Sequence, residues 1–596
     1  MTTATYSRQN LHFMLHEVLD VLSLTKHPYF ALHNAETMTM VLDTAESIAE
    51  KNMRPYLKQS DQQAPQLADG KVKVHPALHE YYKSFCETGL MAACFDESLG
   101  GQQLPKTVYA AADFIVGNAH NGFEMFTSLS NGAARLLTTF ASTNLVKEFA
   151  LKILDGTYTA TMCLTETQAG SSLSDITTEA ILQSDGVYKI KGQKIFISAG
   201  DHDITENIIH LVLARVKNAP AGIKGISLFA VPKKINNQQN DVLSLAIYHK
   251  MGQRSTPAMH LEFGASDNCT AYLVGEEGKG LTYMFQMMNN ARLGVGLAGT
   301  YIAAAAYYAS LQYAKQRPQG RRPNTRNASE PPVTIIHHAD VRRMLLLQKT
   351  ITEGSLALVL HCYNYIDKQQ VAAPAEKERY SLLLELLTPV AKTYGAEMGT
   401  FAVNNGLQVL GGYGYTEDFV LEQLARDIRI MSLYEGTTGI QSIALLGRQV
   451  LGNNAQSLQI WKEELMADIE QAQHFANLQC YADWLLHKIE ELFKVTTHLT
   501  ERSAKVSKEI VLADANLYME LFGLVNIGWQ WLRQATVAQQ QITKAHSHED
   551  DQKFYRSKLQ AMKFFFHYEL RKTRGLVARL MDEEVLTVLD GEDLIL

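Results

Sequence analysis

The run YEGTTGIQ (residues 434–441) sets one carboxylate, Glu435, on a turn that opens a helix just after a glycine-rich segment. A general base could sit there. Gly436 and Gly439 keep the turn thin enough for a ligand to approach the backbone, and Ile443, Leu446, Val450 and Leu451 follow at helical spacing. The bland alternative is an acid placed favourably at the positive end of a helix dipole. LTETQAGSS (164–172) leaves a β-like run for a turn of small residues whose hydroxyls and N–H groups suit a polar ring edge or a phosphate; a plain tight turn looks similar. KIFIS (194–198) offers an aromatic face at Phe196 and a hydroxyl at Ser198 on one side of a strand, although a Phe in such a run reads first as core. QVLGGYGY (408–415) ends a helix on paired glycines, as a simple C-cap would. Arg292, late in FQMMNNAR, is by itself an ordinary surface or ion-pairing arginine.

Gly294, Gly296 and Gly299 spell GxGxxG, the dinucleotide fingerprint, in the wrong setting. No strand precedes them, and Arg321, Arg322 and Arg326 occupy the region beyond, where an acid should meet a ribose. Small residues that let two long helices approach closely are the better reading.

The elements that must position these groups come in a fixed order. From residue 12 to about 149 the apolar spacing is helical throughout, with Leu15, Val18, Leu19 and Leu22 as its first stripe. Residues 158–274 change to short β-rich runs: TATMCLT, VYKIKG, KIFIS, IIHLVLARV, ISLFAVP, LSLAIY and MHLEF. Beyond Gly280 the helical period returns, in helices expected near 297–314, 341–365 and 382–410, with a long exposed loop at 317–332. Past about Asn453 a further helical block includes Leu517, Leu521, Leu524 and Trp531.

At 596 residues the chain needs several packed units and has room for a deep cofactor pocket. Its 46% hydrophobic and 20% charged content, with net charge −7, makes no electrostatic case for nucleic acid or an anionic membrane. The cysteines (Cys86, Cys94, Cys163, Cys269, Cys362 and Cys480) are scattered without metal or disulfide spacing, which points to reduced thiols and no metal. Without a signal-peptide pattern or a run of about 20 apolar residues, a soluble intracellular protein is expected.

Taken in chain order, LTExxAGS, KIFIS, the Arg317 loop, QVLGGYGY, LARD and YEGTxxIQ resemble the signature set of the acyl-CoA dehydrogenase family of flavoenzymes. The resemblance covers about residues 40–455, while MLHEVLDVL and the final helical block look like the family's larger bacterial subgroup. That subgroup includes broad-range fatty acyl-CoA and 3-methylmercaptopropionyl-CoA dehydrogenases. The implied fold is mainly α with a central β-domain: a helical extension (1–40), an N-terminal helical domain (41–157), a middle β-barrel domain (158–280), a four-helix-bundle domain bearing the base (281–455) and an additional helical domain (456–596).

The implied cofactor is FAD, lined by Met162, Leu164 and Thr165, with Ser171 between its phosphates and the acyl-CoA. Phe196 and Ser198 fall where the family usually sets Trp and Thr against the isoalloxazine. Arg317, Gln408 and Gly412 would reach the adenosine end of FAD in a neighbouring subunit, implying a homo-oligomer, a dimer or tetramer. Thr437 would meet the cofactor, and Ser171, Arg292, Glu435 and Gly436 the substrate. Gly439 replaces a frequent glutamine contact, and Thr167, Gln168 and Ser172 depart from the usual proline and aspartate. Some members carry the base beside the position of Arg292, where this chain has Ala291, so the resemblance leaves Glu435 as the base.

The implied reaction is oxidation of a saturated acyl-CoA to a trans-2-enoyl-CoA, with electron-transfer flavoprotein as acceptor, in bacterial cytoplasmic fatty-acid β-oxidation. The alternatives are an acyl-CoA oxidase or a 3-methylmercaptopropionyl-CoA dehydrogenase. Family members that bind duplex DNA would need a basic C-terminal face; residues 471–596 carry 15 Lys and Arg against 17 Asp and Glu, a net of −2.

Overall fold

The computed structural model describes residues 5–588 other than 325, 326, 328, 453, 454 and 545–547, and all side chains among them except those of 286 and 287. Arg326 of the exposed loop, the expected boundary at Asn453 and the last part of the C-terminal block (589–596) therefore lie outside the described residues.

The chain divides into two compact units, Pro28–Ala291 and a second made of Met1–His27 with Arg292–Leu596. The first begins with helices α1 (Ala35–Ile48), α2 (Pro76–Glu87), α3 (Lys106–Ala119) and α4 (Asn121–Phe140). Asn34 starts α1 with a capping box: its side chain accepts from the Thr37 N–H while the Thr37 hydroxyl accepts from the Asn34 N–H, both at 2.9 Å. The stretch is not wholly helical, since a small hairpin, β1 (Gln66–Ala68) and β2 (Lys71–Lys73), precedes α2. Its cause is local: Asp69 and Gly70, at φ 51° and 70°, make the left-handed pair that a tight hairpin requires.

An eight-stranded sheet follows: β3 (Tyr158–Cys163), β4 (Glu179–Leu182), β5 (Tyr188–Ser198), β6 (Asn207–Val216), β7 (Ile226–Pro232), β8 (Val242–Ile247), β9 (Ala258–Phe263) and β10 (Thr270–Leu273). Its order is β8-β9-β5-β10-β7-β6-β3, with β4 pairing to β5 and β6. Every expected β run is a strand, but VYKIKG and KIFIS form the single strand β5, which passes through Gly192. At Gly192 an added Cβ would lie 2.5 Å from the Thr178 hydroxyl, so this glycine is a close-approach point and not a turn. The short, partly polar strands β4 and β10 escaped the pattern reading.

The long helices α5 (Gly280–Gln316), of which the second unit takes the part from Arg292 onward, α6 (Ala339–Val371) and α7 (Pro374–Leu410) extend beyond their expected spans. The GxGxxG residues lie inside α5 and do what small residues do. A Cβ on Gly296 would stand 2.6 Å from the Ala391 carbonyl oxygen and one on Gly299 2.2 Å from that of Gly395, while one on Gly395 would stand 2.3 Å from that of Gly296. Backbone meets backbone at the α5–α7 crossing. The 317–332 loop is closed at its base, where the Gln319 N–H donates to Val333 and the Ile335 N–H donates to Arg317.

After α7 come α8 (Leu421–Ile428), the short α9 (Thr438–Ile443) and a π-helical turn (Ala444–Val450). That turn shifts the expected apolar stripe: Leu445, Leu446 and Val450 are buried, whereas Ile443 is 44% exposed. The C-terminal block comprises α10 (Gln456–Gln473), α11 (Gln479–Ser503), α12 (Ala515–Thr543) and α13 (Glu549–Phe564). Helix α12 packs against α6, α7 and α9, so the added block backs the segment that follows Glu435. The stretch Lys508–Thr543 is long and apolar enough to cross a membrane by length and composition, yet Tyr518, Phe522, Trp529 and Trp531 within it are buried. Lys558 of α13 bonds Glu353 of α6 at 2.7 Å and also donates to Asn10, tying the N-terminal segment into the same unit.

Candidate active site

Two clusters carry the candidate chemistry, one in each unit. In the first, the turn after β3 is fastened to β5. The Ile195 N–H donates to the Thr165 carbonyl at 2.9 Å, and the Lys194 ammonium donates to the Leu164 carbonyl at 3.0 Å. Lys194 also pairs with Glu166 at 2.8 Å, with side-chain exposures of 0% and 3%. Glu166 further accepts from the Thr177 N–H at 2.7 Å and the Thr178 N–H at 3.0 Å. Burial alone would raise this carboxyl; the Lys194 charge and these hydrogen bonds overcome it and hold its pKa down at about 2. LTET and KIFIS thus meet through a pair the sequence reading missed, although both residues lay inside the runs it singled out.

The consequence falls on the next residues. The pairing of β5 with β9 slips between Met259 and Leu261, a bulge that lets Lys194 and Ile195 both face inward. Phe196 then takes φ 57° and projects outward, 57% exposed, so it is not core as its run first suggested. Its ring lies against Tyr248, centroids 4.5 Å apart. Ser198 is half-buried two residues on, as are Met162, Leu164 and Thr165, while Ser171 is exposed. An exposed aromatic face beside hydroxyls and a braced turn suits a flat, polar-edged ring, so these residues fit the isoalloxazine of FAD.

In the second unit, Glu435 has φ 55° and Gly436 φ 89°. A left-handed glutamate costs about 1–3 kcal/mol unless its surroundings enforce it. Here the two successive carbonyls of the turn are both held: that of Glu435 accepts from the Gln441 side-chain N–H at 3.0 Å, and that of Gly436 from the Lys392 ammonium at 2.9 Å. A side chain at Gly436 would be strained by the φ of 89°, and its Cβ, 2.6 Å from Gln441 Nε2, would push that amide off the Glu435 carbonyl. Thr437 caps α9 by accepting from the Ile440 N–H at 3.3 Å, and Thr438 donates to Glu397 of α7.

Burial raises the pKa of Glu435 above its ordinary value, and the charges of Arg292 on α5 and Lys392 on α7 hold part of that rise back. Lys392 is itself brought down to about 8 by burial, against the pull of Glu397 and Glu435. The α5–α7 glycine crossing lies next to Lys392, because a Cβ on Gly296 would also approach the Lys392 Cα to 3.2 Å, and Arg292 stands four residues before Gly296 on α5. Neither Lys392 nor Gln441 was singled out from sequence; only the final Gln of YEGTxxIQ lay inside a quoted motif.

Arg317, Gln408 and Gly412 are all exposed, away from this turn in sequence but near one another. The Arg317 guanidinium lies 5.9 Å from the Tyr413 ring centre. Tyr415 beside them is 97% exposed.

Comparison with known proteins places the chain in a family. The acyl-CoA dehydrogenase N-terminal, middle and C-terminal domain families match residues 35–157, 161–266 and 278–451, and the acetyl-CoA dehydrogenase C-terminal-like family matches 461–588. The chain belongs to the acyl-CoA dehydrogenase family and has its fold, with a further C-terminal helical domain. It is 35% identical to the 3-methylmercaptopropionyl-CoA dehydrogenase of Ruegeria pomeroyi over 88% of each chain. It is also 31% identical to the broad-specificity linear acyl-CoA dehydrogenase FadE5 of Mycobacterium tuberculosis over 96% of this chain and 97% of that one. Among solved structures, Caenorhabditis elegans ACDH-11 in complex with C11-CoA superposes with a TM-score of 0.76 at 18% identity, covering 96% of this chain and 93% of that one.

Proposed function

We propose that this acyl-CoA dehydrogenase uses FAD to oxidise a saturated linear acyl-CoA to the trans-2-enoyl-CoA, with Glu435 taking the α-proton. The observation that carries this reading is the state of Glu435: a carboxylate with raised proton affinity on a turn whose unfavourable backbone is held by two side chains. The α-proton of a thioester is only weakly acidic, so a base must bind it strongly and the enolate must be stabilised as it forms. Burial of Glu435 supplies the first. Its own backbone N–H, donating to the thioester carbonyl, contributes to the second. The charges of Arg292 and Lys392 hold part of the pKa rise back, which favours the ionised form that takes the proton.

The cofactor supplies the acceptor for the hydride that leaves Cβ. Met162, Leu164, Thr165, Phe196 and Ser198 would hold its ring, Ser171 would serve its phosphates and the acyl-CoA, and Thr437 would contact it. Gly436 lets the acyl group lie close to that turn. Arg317, Gln408 and Gly412, exposed beside Tyr413 and Tyr415, serve the adenosine end of a second subunit's FAD, which makes the protein a homo-oligomer. Similarity to enzymes named for 3-methylmercaptopropionyl-CoA, butyryl-CoA and broad linear acyl-CoA substrates supports a linear acyl group; the proposed setting is cytoplasmic fatty-acid β-oxidation. A chain from the structure of the electron transferring flavoprotein of Acidaminococcus fermentans is 25% identical, with TM-score 0.58 over 69% of this chain and 97% of that one. It supports an electron-transferring flavoprotein as the acceptor.

Anaerobic bleaching of the bound flavin across saturated linear acyl-CoAs, with 3-methylmercaptopropionyl-CoA included, tests the reading. Bleaching by at least one linear thioester is expected, and no bleaching by any would overturn it. Hydrogen peroxide release in air without an added acceptor would instead make the protein an oxidase.

A further inference from the structure

We infer that Lys392 and Gln441 are positioning residues for the base: together they lock the carbonyls of Glu435 and Gly436, and of the two only Lys392 also brings a positive charge, beside that of Arg292, to the carboxylate. The inference rests on Glu435 as the base and concerns what governs it.

A left-handed residue followed by a glycine turns its carbonyls away from any helical or strand partner, so such a turn stays put only if other donors take those oxygens. Here each carbonyl has one, from a different element: Gln441 lies on α9 and Lys392 on α7. Both side chains are fully buried, so neither donor is a chance surface contact. Their hydrogen bonds fix where the carboxylate and the backbone N–H of Glu435 point.

The two clamps differ in charge. Gln441 is neutral and acts only through geometry. Lys392 carries a buried positive charge that faces Glu397 on its own helix, Glu435 on the turn and Arg292 on α5; Arg292 in turn faces Glu435 and Arg448. Its ammonium directs its hydrogen bond to the Gly436 carbonyl and acts on the Glu435 carboxylate through space. A cation near a carboxylate favours the ionised form, so Lys392 lowers the proton affinity that burial raises.

Removing one clamp should therefore give a different signature from removing the other. In Lys392→Met, flavin reduction by acyl-CoA should slow about 100-fold, because the base is displaced. The acidic limb of its pH profile should also move up by about one unit, because a cation is gone. Gln441→Met should slow reduction comparably with the limb unmoved, and Lys392→Arg should return the limb toward the wild-type position. Acyl-CoA binding, followed with the non-reducing Glu435→Gln background, should stay close to normal in all three. A readout independent of turnover is the infrared titration of the Glu435 carboxyl in substrate-free holoenzyme, assigned by its loss in Glu435→Gln, which should show the same upward shift in Lys392→Met alone.

A Lys392→Met enzyme with wild-type rate and limb would overturn the inference. Should that variant fail to fold, a wild-type rate in Gln441→Met, or a Lys392→Arg limb displaced from the wild-type position, would overturn it instead. If no linear acyl-CoA bleaches the wild-type flavin, the proposed function falls, while the infrared titration still decides whether Lys392 controls Glu435.

Discussion

Glu166 is gripped by Lys194 at 2.8 Å and by two backbone N–H groups, whereas Glu435 lies near two cations, one of which gives its hydrogen bond to a neighbouring carbonyl. Both carboxyls are buried enough for desolvation to push them up. In Glu166 the close pair and its hydrogen bonds win, and the group stays ionised as a fixture that braces a turn. In Glu435 desolvation wins, and the group is left with unsatisfied affinity for a proton. Desolvation with only partial compensation by nearby charge is what raises a carboxyl's proton affinity, and it suits Glu435 to the proposed role of base.

The largest expected effect separates the two at once. Glu435→Gln should reduce flavin bleaching by acyl-CoA about 10⁴-fold, the upper range for removing a general base. It should still fold and bind FAD. Near-normal bleaching in stopped-flow experiments would mean that another group removes the proton. The pH dependence sharpens the contrast. The folded pKa of Glu435 is raised, so the acidic limb of the reduction rate should lie above that of an ordinary carboxylate, and its ionisation works against folding as pH rises. The folded pKa of Glu166 is depressed to about 2, so its contribution to stability is present above the ordinary value of 4.5 and is lost as pH falls from there toward 2.

Next in size is the loss of the brace. Lys194→Met leaves Glu166 buried without its partner and should destabilise the protein by about 3–5 kcal/mol, read as a lower urea midpoint. FAD retention should fall with it, because the turn that presents Leu164 and Thr165 hangs on Lys194 and the adjoining strand. A double change, Lys194→Met with Glu166→Leu, should recover much of the stability but not the turn's position. Equal FAD retention in the double variant and the wild type would show that the pair is dispensable for presenting the cofactor site.

How far these features were legible in the sequence follows from the kind of interaction involved. The helix, β, helix order and the glycine contact of α5 with α7 rest on local periodicity and residue size, and these can be read along the chain. Glu435 was legible because YEGTTGIQ is a contiguous run. Lys392 was not: it lies 43 positions before Glu435, on α7, within a predominantly apolar buried stretch where a lysine has no local signal. Phe196 was read first as core because a Phe in an apolar run usually is, and the bulge that turns it outward depends on a partner strand far along the chain. The hairpin at Asp69–Gly70 is the opposite case, since its turn signal was local but was overridden by the helical texture around it.

Smaller effects test whether the surroundings of Glu435 are as exacting as its clamp implies. Gly299→Ala forces a methyl against the Gly395 carbonyl oxygen, 2.2 Å away, and should cost about 1–3 kcal/mol. It should also lower the rate of flavin reduction, since α7 carries Lys392. Gly294→Ala is the control: a Cβ there meets nothing within 4 Å, and the better helix propensity of alanine should add about 0.5–1 kcal/mol of stability with the rate unchanged. Equal stability changes in the two variants would remove the crossing from the account of how Lys392 is placed.

The smallest effect is at Thr437, whose hydroxyl accepts from the Ile440 N–H and starts α9. Thr437→Ala should cost about 1 kcal/mol, the ordinary value of an N-cap. The same helix carries Gln441 and is backed by α12, so fraying of its first turn should loosen one clamp on Glu435 and leave Lys392 in place. The expected outcome, with the proposed cofactor contact of Thr437 lost as well, is a modest slowing of flavin reduction and weaker FAD retention, with the pH limb unmoved. An upward shift of that limb would show instead that the cap contributes to the charge balance at Glu435, and the division between a geometric clamp on α9 and an electrostatic one on α7 would fail.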